Sequence, residues 1–222
     1  MRVLAFDTAT AGCHLAILDG DQVLVDRREA MAHGQAAVLL PWIEAALAEA
    51  GLQPGDLDLV AATTGPGAFT GIRIGLAAAK GLALALGIPG MGISSFDAFH
   101  ALVPDDAKPL LIAIDSRRAD LFFRYLTING DAREQALAPN QLVDWLGGDV
   151  TGLRVIGDAA DMVANAINAE ISVIQTRPDP VVLARLAQER YEWDELAPLE
   201  PVYARPPDAK PAKPSRIWLA EQ

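Results

Sequence analysis

The chain has 222 residues, enough for one large domain or two small ones, and its 51% hydrophobic content supplies ample apolar surface for a packed core without covalent staples. A single cysteine, Cys13, excludes an internal disulfide, and the short apolar run at the start carries Asp7 inside it, unlike a secretory leader, so the expected compartment is the cytoplasm. A formal net charge of −11, from 29 acidic against 18 basic residues, argues against direct, non-specific binding of a phosphate backbone and serves either solubility or a basic partner.

Leu4-Ala5-Phe6-Asp7-Thr8 is an apolar run ending in a carboxylate and a hydroxyl, followed by Cys13 to Leu18, Asp19-Gly20 and Gln22 to Arg28. This order predicts a three-strand meander, because Asp-Gly between alternating apolar residues tolerates the positive φ of a tight hairpin. His33 to Ala50 carries apolar residues at 39, 43, 46, 47 and 50, the pattern of an amphipathic helix closed by Gly51. Pro41 either kinks that helix or marks where its regular part starts. Gln53 to Asp56 is a predicted turn, Leu57 to Thr63 a buried strand and Gly71 to Leu86 a second helix, after which the chain continues into Ile93. The first lobe thus reads βββαβα. Apolar stretches such as Gly81 to Ile88 fall short of the ~20 residues that cross a bilayer, so no membrane span is expected.

The order then recurs. Ile112-Ala113-Ile114-Asp115-Ser116 is again an apolar run ending in an acid and a hydroxyl, followed by Leu121 to Thr127 and the turn Asn129-Gly130. Helices are predicted at Asn140 to Leu146, Asp158 to Asn168 and Val181 to Trp193, with a strand at Leu153 to Ile156. The expected organisation is an N-terminal lobe over 1–104, a C-terminal lobe over 105–205 and a Pro-rich extended or disordered tail over 206–222, in which Trp218 is the one large apolar residue able to dock.

Thr63 to Gly75 is a buried strand feeding a glycine loop that opens a helix. Such a junction either binds an anion through backbone donors and the helix dipole, or is a tight turn that lets the helix pack closely on the sheet. It has neither the Gly-Lys-Ser/Thr of a phosphate loop nor a Gly-x-Gly-x-x-Gly fingerprint. Gly71, Gly75, Ala79, Ala83 and Gly87 recur every four residues as a ridge of small side chains, which admits either a partner helix or the protein's own sheet. His14 and His33 stand alone, and Cys13 has no nearby histidine, so it reads as a small hydrophobe.

Gly65-Pro66-Gly67-Ala68-Phe69-Thr70-Gly71-Ile72-Arg73-Ile74-Gly75, with Ala79-Lys80-Gly81-Leu82-Ala83 after it, resembles the signature of the TsaB (YeaZ) family. Ala5 to Thr10, Gly92-Ile93-Ser94-Ser95, Ile114-Asp115-Ser116-Arg117 and Pro201-Val202-Tyr203-Ala204-Arg205 are similar to it as well, and the resemblance extends to about Lys210. It implies the two-lobed actin-like ATPase (sugar kinase, Hsp70) fold, each lobe on a βββαβα core. It also implies a part in making threonylcarbamoyladenosine beside the anticodon of tRNA. The implied role is that of a non-catalytic activator, paired as a heterodimer with a TsaD-like transferase, joined by a TsaE-like ATPase and reaching tRNA only through the complex. Whether it forms a homodimer when alone is left open. In that family the first-lobe helices pack against their counterparts in the transferase as a four-helix bundle, which puts Leu39, Ile43, Gly71, Gly75, Ala79 and Ala83 at the expected interface.

Catalytic relatives hold a metal with two histidines four apart on a helix after the same strand. Here the matching positions are Ser95 and Phe99, with Asp97 between, while His100 is one residue out of step and about 100° off that face. No metal site and no catalytic residue is therefore expected. Asp7 and Asp115 stand where actin-like ATPases place metal-holding carboxylates, so Asp7, Thr8, Thr10, Gly65, Gly67 and Asp115 are candidates for a vestigial nucleotide site. Yet their loops lack the glycines of kinases, and Gly157-Asp158-Ala159 matches an adenosine turn only thinly. No resident cofactor is expected, with ATP and Mg²⁺ at a shared interface left open. The alternative of a different class is an ATP-dependent phosphotransferase using Asp7 as base or metal ligand.

Overall fold

The structure, a computed structural model, describes residues 1–204 apart from 11, 105–108, 149, 151, 168–171, 176–177 and 193–195. The tail over 206–222 with Trp218, and the predicted helix ends at Asn168 and Trp193, lie outside the described residues.

The meander forms as β1 (Arg2–Asp7), β2 (Cys13–Asp19) and β3 (Gln22–Glu29), with Gly20 at φ 54° in the turn. α1 (Gln35–Glu49) runs through Pro41, β4 (Leu59–Gly65) leads into α2 (Phe69–Leu86), and β5 (Gly90–Ser94) leads into α3 (Ser95–His100). α2 begins two residues before the predicted Gly71. The predicted turn at Gln53 to Asp56 holds one 3-10 turn, Pro54–Asp56.

The second lobe has β6 (Leu110–Asp115), β7 (Leu121–Leu126), β8 (Ala132–Leu137), α4 (Leu142–Leu146), β9 (Arg154–Ile156), α5 (Ala160–Ala166), β10 (Ser172–Gln175) and α6 (Pro180–Glu192). One sheet has the order β3-β2-β1-β4-β5 and the other β8-β7-β6-β9-β10, antiparallel among the first three strands and parallel among the last three. The second lobe therefore repeats the first strand for strand. This is the two-lobed actin-like ATPase fold.

Strand alternation sends successive side chains to opposite faces, and each face meets a different helix. Leu4, Phe6, Leu15 and Ile17 pack with α1 and α2 through Leu39, Ile43, Ile72 and Leu76. Their neighbours Val3, Ala5, Ala16 and Leu18 pack against Leu183, Ala184 and Ala187 of α6. In the second sheet Leu111, Ala113 and Phe123 meet α4 and α5, whereas Leu110, Ile112, Ile114 and Phe122 meet Phe96 and Phe99 of α3. The lobes thus exchange helices: α3 covers the second sheet and α6 covers the first. Packing therefore crosses the expected boundary at 104/105. Residues 196–203 also return to the first lobe, where Leu199 joins its core, Ala197 O accepts from Gly92 N (2.9 Å) and Val202 N donates to Thr64 O (2.8 Å).

Candidate functional site

Asp7 ends β1 with 1% of its surface exposed. Its Oδ1 accepts from Ala9 N (2.9 Å) and from the Thr63 hydroxyl, and its Oδ2 accepts from the Thr10 hydroxyl. A buried carboxylate needs such donors, because it has lost the water that would otherwise solvate it. The glycine loop lies directly on this turn. Ala68 N donates to Ala9 O (2.7 Å) and the Thr8 hydroxyl to Gly71 O (2.7 Å). A Cβ on Gly67 would stand 2.3 Å from Ala9 O, and one on Gly71 would stand 1.9 Å from Thr8 O, so no side chain fits at either place. The structure therefore packs the turn of Asp7, Thr8 and Thr10 against Gly67, whereas Gly65 faces Ile72 and Val202. Cys13 follows on β2, and burial, then the nearby Asp7 and Glu29, pushes its thiol up to about 12, which makes it inert.

Asp115 ends β6 in the equivalent place but is half-buried. Its Oδ1 accepts from Arg117 N (2.7 Å), and its Oδ2 lies 3.2 Å from Arg117 Nη1. These two contacts hold Arg117 at φ 61°, the left-handed region that a side chain disfavours. Ser116 accepts from Arg118 N (3.2 Å) and donates to Asp120 O, completing a tight turn. Behind it, Asp158 Oδ1 accepts from Asp115 N (2.8 Å) while its buried Oδ2 has no hydrogen-bond partner. Burial, reinforced by the charges of Asp115 and Asp7, pushes the Asp158 carboxyl up to about 7, against the lowering effect of that hydrogen bond. From the sequence, Asp158 entered only as part of a thin adenosine-turn match and as a helix start, not as a site residue. Its signal was the Gly157-Asp158 turn: Gly157 has φ 119° and a Cβ there would stand 2.0 Å from Ala113 O.

The α3 positions that the resemblance matched to a metal-holding histidine pair are occupied by packing groups. Ser95 and Phe99 are buried, Phe99 in the core between α3 and the second sheet. Asp97 Oδ1 pairs with Arg124 Nη1 (2.5 Å) and its Oδ2 with Arg190 Nη2 (2.7 Å). Burial opposes the charge, but these arginines outweigh it and hold the carboxyl below the usual range. Among the described residues no group of three His, Cys, Asp or Glu side chains could hold a metal ion.

The small-residue ridge is a correction. Gly71, Gly75 and Ala79 are buried against the protein's own sheet, and a Cβ on Gly75 would stand 2.7 Å from the Thr8 hydroxyl. Half-buried Ala83 faces Gly90 of β5, where an added Cβ would lie 3.2 Å from its own, and Gly87 is the left-handed cap of α2. Leu39 and Ile43 likewise sit in the first-lobe core. Spacing identified the ridge but could not orient it, because α2 is apolar on both sides. Its outer side carries Arg73, Ala77, Lys80, Gly81, Leu84 and Ala85, continued on α1 by Ala36, Ala37, Leu40 and Ala45. Leu84 is 86% and Leu40 54% exposed. At mean hydropathy 1.4 over 18 residues, α2 is long and apolar enough to cross a membrane by composition, a longer run than the sequence stretch considered; its inner face packs on the sheet.

Comparisons with known proteins agree with this geometry. The family model described as TsaD, tRNA N6-adenosine threonylcarbamoyltransferase, matches residues 29–145, more than half of the chain. The chain is 37% identical over 218 residues to an uncharacterized protein of Mycobacterium tuberculosis, covering 94% of each. It is 29% identical over 224 residues to the tRNA threonylcarbamoyladenosine biosynthesis protein TsaB of Haemophilus influenzae, covering 92% of this chain and 94% of that one. Among solved structures, YeaZ from Pseudomonas aeruginosa superposes with a TM-score of 0.73 at 26% identity, over 91% of this chain and 99% of that one.

Proposed function

The chain belongs to the TsaB (YeaZ) family, and from that membership we propose that it is the non-catalytic partner of a TsaD-like threonylcarbamoyltransferase. Its process is the biosynthesis of threonylcarbamoyladenosine in tRNA. The observation that carries the non-catalytic role is α3, where Ser95 and Phe99 are core residues and Asp97 is tied between Arg124 and Arg190. A metal at that place would need ligands this helix does not offer. Asp7 supports the same reading: with its oxygens taken up by Ala9, Thr10 and Thr63, it has no exposed edge for Mg²⁺ or a phosphate. The transferase docks on the exposed side of α1 and α2, at Leu40, Ala77, Gly81 and Leu84, and a second copy of the chain can occupy that face when the transferase is lacking. A TsaE-like ATPase completes the assembly, and tRNA is met only through the complex, consistent with a charge of −11.

Reconstitution tests this reading. With the transferase, the ATPase subunit, tRNA and an activated threonylcarbamoyl donor, omission of this chain should lower the yield of modified adenosine about tenfold or more. The chain without the transferase should form none. Product made by the chain alone, or an undiminished yield without it, would sink the proposal.

A further inference from the structure

We propose that Arg73, clamped by Phe69 and Tyr203, is a preformed carboxylate-recognition anchor on the outer face of α2, and that the transferase subunit supplies the carboxylate. This inference rests on the reading in the preceding section and extends it to the chemistry of the contact. The Arg73 Cζ lies 3.9 Å from the centroid of the Phe69 ring, and its Nε donates to the Tyr203 hydroxyl at 3.1 Å. The two rings stand 5.4 Å apart at 33°, so the guanidinium is fixed between an aromatic face and a phenol.

Tyr203 reaches this place because residues 196–203 are bound along the first lobe. Val202 N donates to Thr64 O, and a Cβ on Gly92 would stand 2.3 Å from Pro198 O, so the segment is seated on the glycines of β5. The cluster nonetheless stays at the surface, with Phe69 52% and Tyr203 44% exposed. Two large aromatic rings around an arginine, assembled from residues 130 positions apart and left open to solvent, have the composition of an interface hot spot.

Charge decides what the anchor takes. Arg2, Arg27, Arg28, Arg124 and Arg190 each hold a carboxylate within this chain. Among the described residues, Arg73 and Lys80, the two cations on the outer side of α2, hold none, although acidic residues outnumber basic ones by 29 to 18. Nε is engaged by Tyr203, while the two terminal nitrogens make no hydrogen bond to described residues and keep the geometry for a carboxylate. Because stacking has already removed the rotamer freedom of Arg73, little ordering remains to oppose the contact. A protein carboxylate fits better than a nucleic-acid phosphate: the adjoining surface is Ala77, Gly81 and Leu84, and the whole chain repels polyanions.

The test is calorimetric titration of the full chain with the transferase subunit, alongside thermal melting of each variant alone. Arg73→Ala should weaken binding about 10- to 100-fold and Tyr203→Phe about 3- to 10-fold. Arg73→Lys should recover only part of the loss, since an ammonium cannot make two parallel bonds. If Arg73→Ala melts early, Tyr203→Phe, which removes one surface oxygen, carries the decision. Affinities within twofold of the parent for both variants overturn the anchor and leave the partnership standing. A tRNA-binding loss with subunit affinity unchanged assigns Arg73 to a phosphate and also overturns it. A parent chain that does not bind the transferase overturns both the anchor and the partnership.

Discussion

The two lobes have the same strand order and place an aspartate at the same point, the end of the central strand, yet the two aspartates live differently. Asp7 is saturated by Ala9, Thr10 and Thr63 and sealed beneath the Gly65–Gly71 loop. Asp115 remains half-exposed, leaning on Arg117 and backed by Asp158, whose carboxyl is raised to about 7. One lobe has turned the loop after its first strand into packing, and the other has kept it as a polar turn. A duplicated topology thus preserves the place of a residue without preserving its physical task.

The largest effect expected from this comparison concerns a device the lobes share, a helix start pressed against the end of the first strand. Gly71→Ala and Gly157→Ala would each drive a Cβ into a backbone oxygen, at 1.9 Å from Thr8 O and 2.0 Å from Ala113 O. Each should cost about 3 kcal/mol, read as a loss of denaturation midpoint. A tolerant Gly157 beside an intolerant Gly71 would mean that only the first lobe depends on that closeness.

Next in size is the contrast between the acids themselves. Asp7→Ala leaves two hydroxyls and an amide without their acceptor and should lower stability by about 2 kcal/mol, whereas Asp115→Ala, at a solvated turn, should cost under about 1 kcal/mol. In the assembled complex, folded protein of either variant should keep modification activity within about tenfold. A loss near a thousandfold with folding and assembly intact would instead favour a phosphotransferase.

The smallest effect is confined to one range of pH. An unfolded aspartate titrates near about 3.9, while folded Asp158 titrates at about 7, so between those values the folded state keeps a proton that the unfolded state releases. Stability contributed by Asp158 is therefore present at pH 4 and lost as pH rises toward 7. Asp158→Asn keeps an acceptor for Asp115 N and removes the charge, so it should melt about 3–6 °C above the parent at pH 8 and level with it near pH 4. Identical curves at both pH values would show that the Asp158 charge is solvated after all.

Much of this architecture was readable in advance because it is written in local patterns. Alternation from Leu4 to Leu18 with Asp19-Gly20 between strands, and its echo at Ile112 to Asn129-Gly130, gave both meanders and their equivalence. β8 was not readable, since Ala132-Arg133-Glu134-Gln135-Ala136 alternates no apolar face; it is an edge strand whose exposed residues face water. The direction of the glycine ridge was hidden for the opposite reason, an excess of apolar residues around α2. Placement of α6 and of Tyr203 was out of reach, because α6 is settled by strands of the first sheet and Tyr203 by Phe69 and Arg73 of α2, all far earlier in the chain. The Asp7 cluster was found by position, but its closure depends on Thr63, which no spacing rule joins to Asp7.

The return of α6 and Leu199 to the first lobe also sets the order in which the chain can acquire its structure. The face bearing Val3, Ala5, Ala16 and Leu18 packs against Leu183, Ala184 and Ala187 of α6, and the core around Leu4 and Phe6 includes Leu199. On a ribosome, the strands of that lobe emerge on the order of ten seconds before the segments that cover them. The first lobe to be synthesised is therefore the last to be finished, and its open sheet face must be kept from other chains throughout that interval. Such late closure raises the mean sequence separation of native contacts and slows folding, even though each meander can form from neighbours alone.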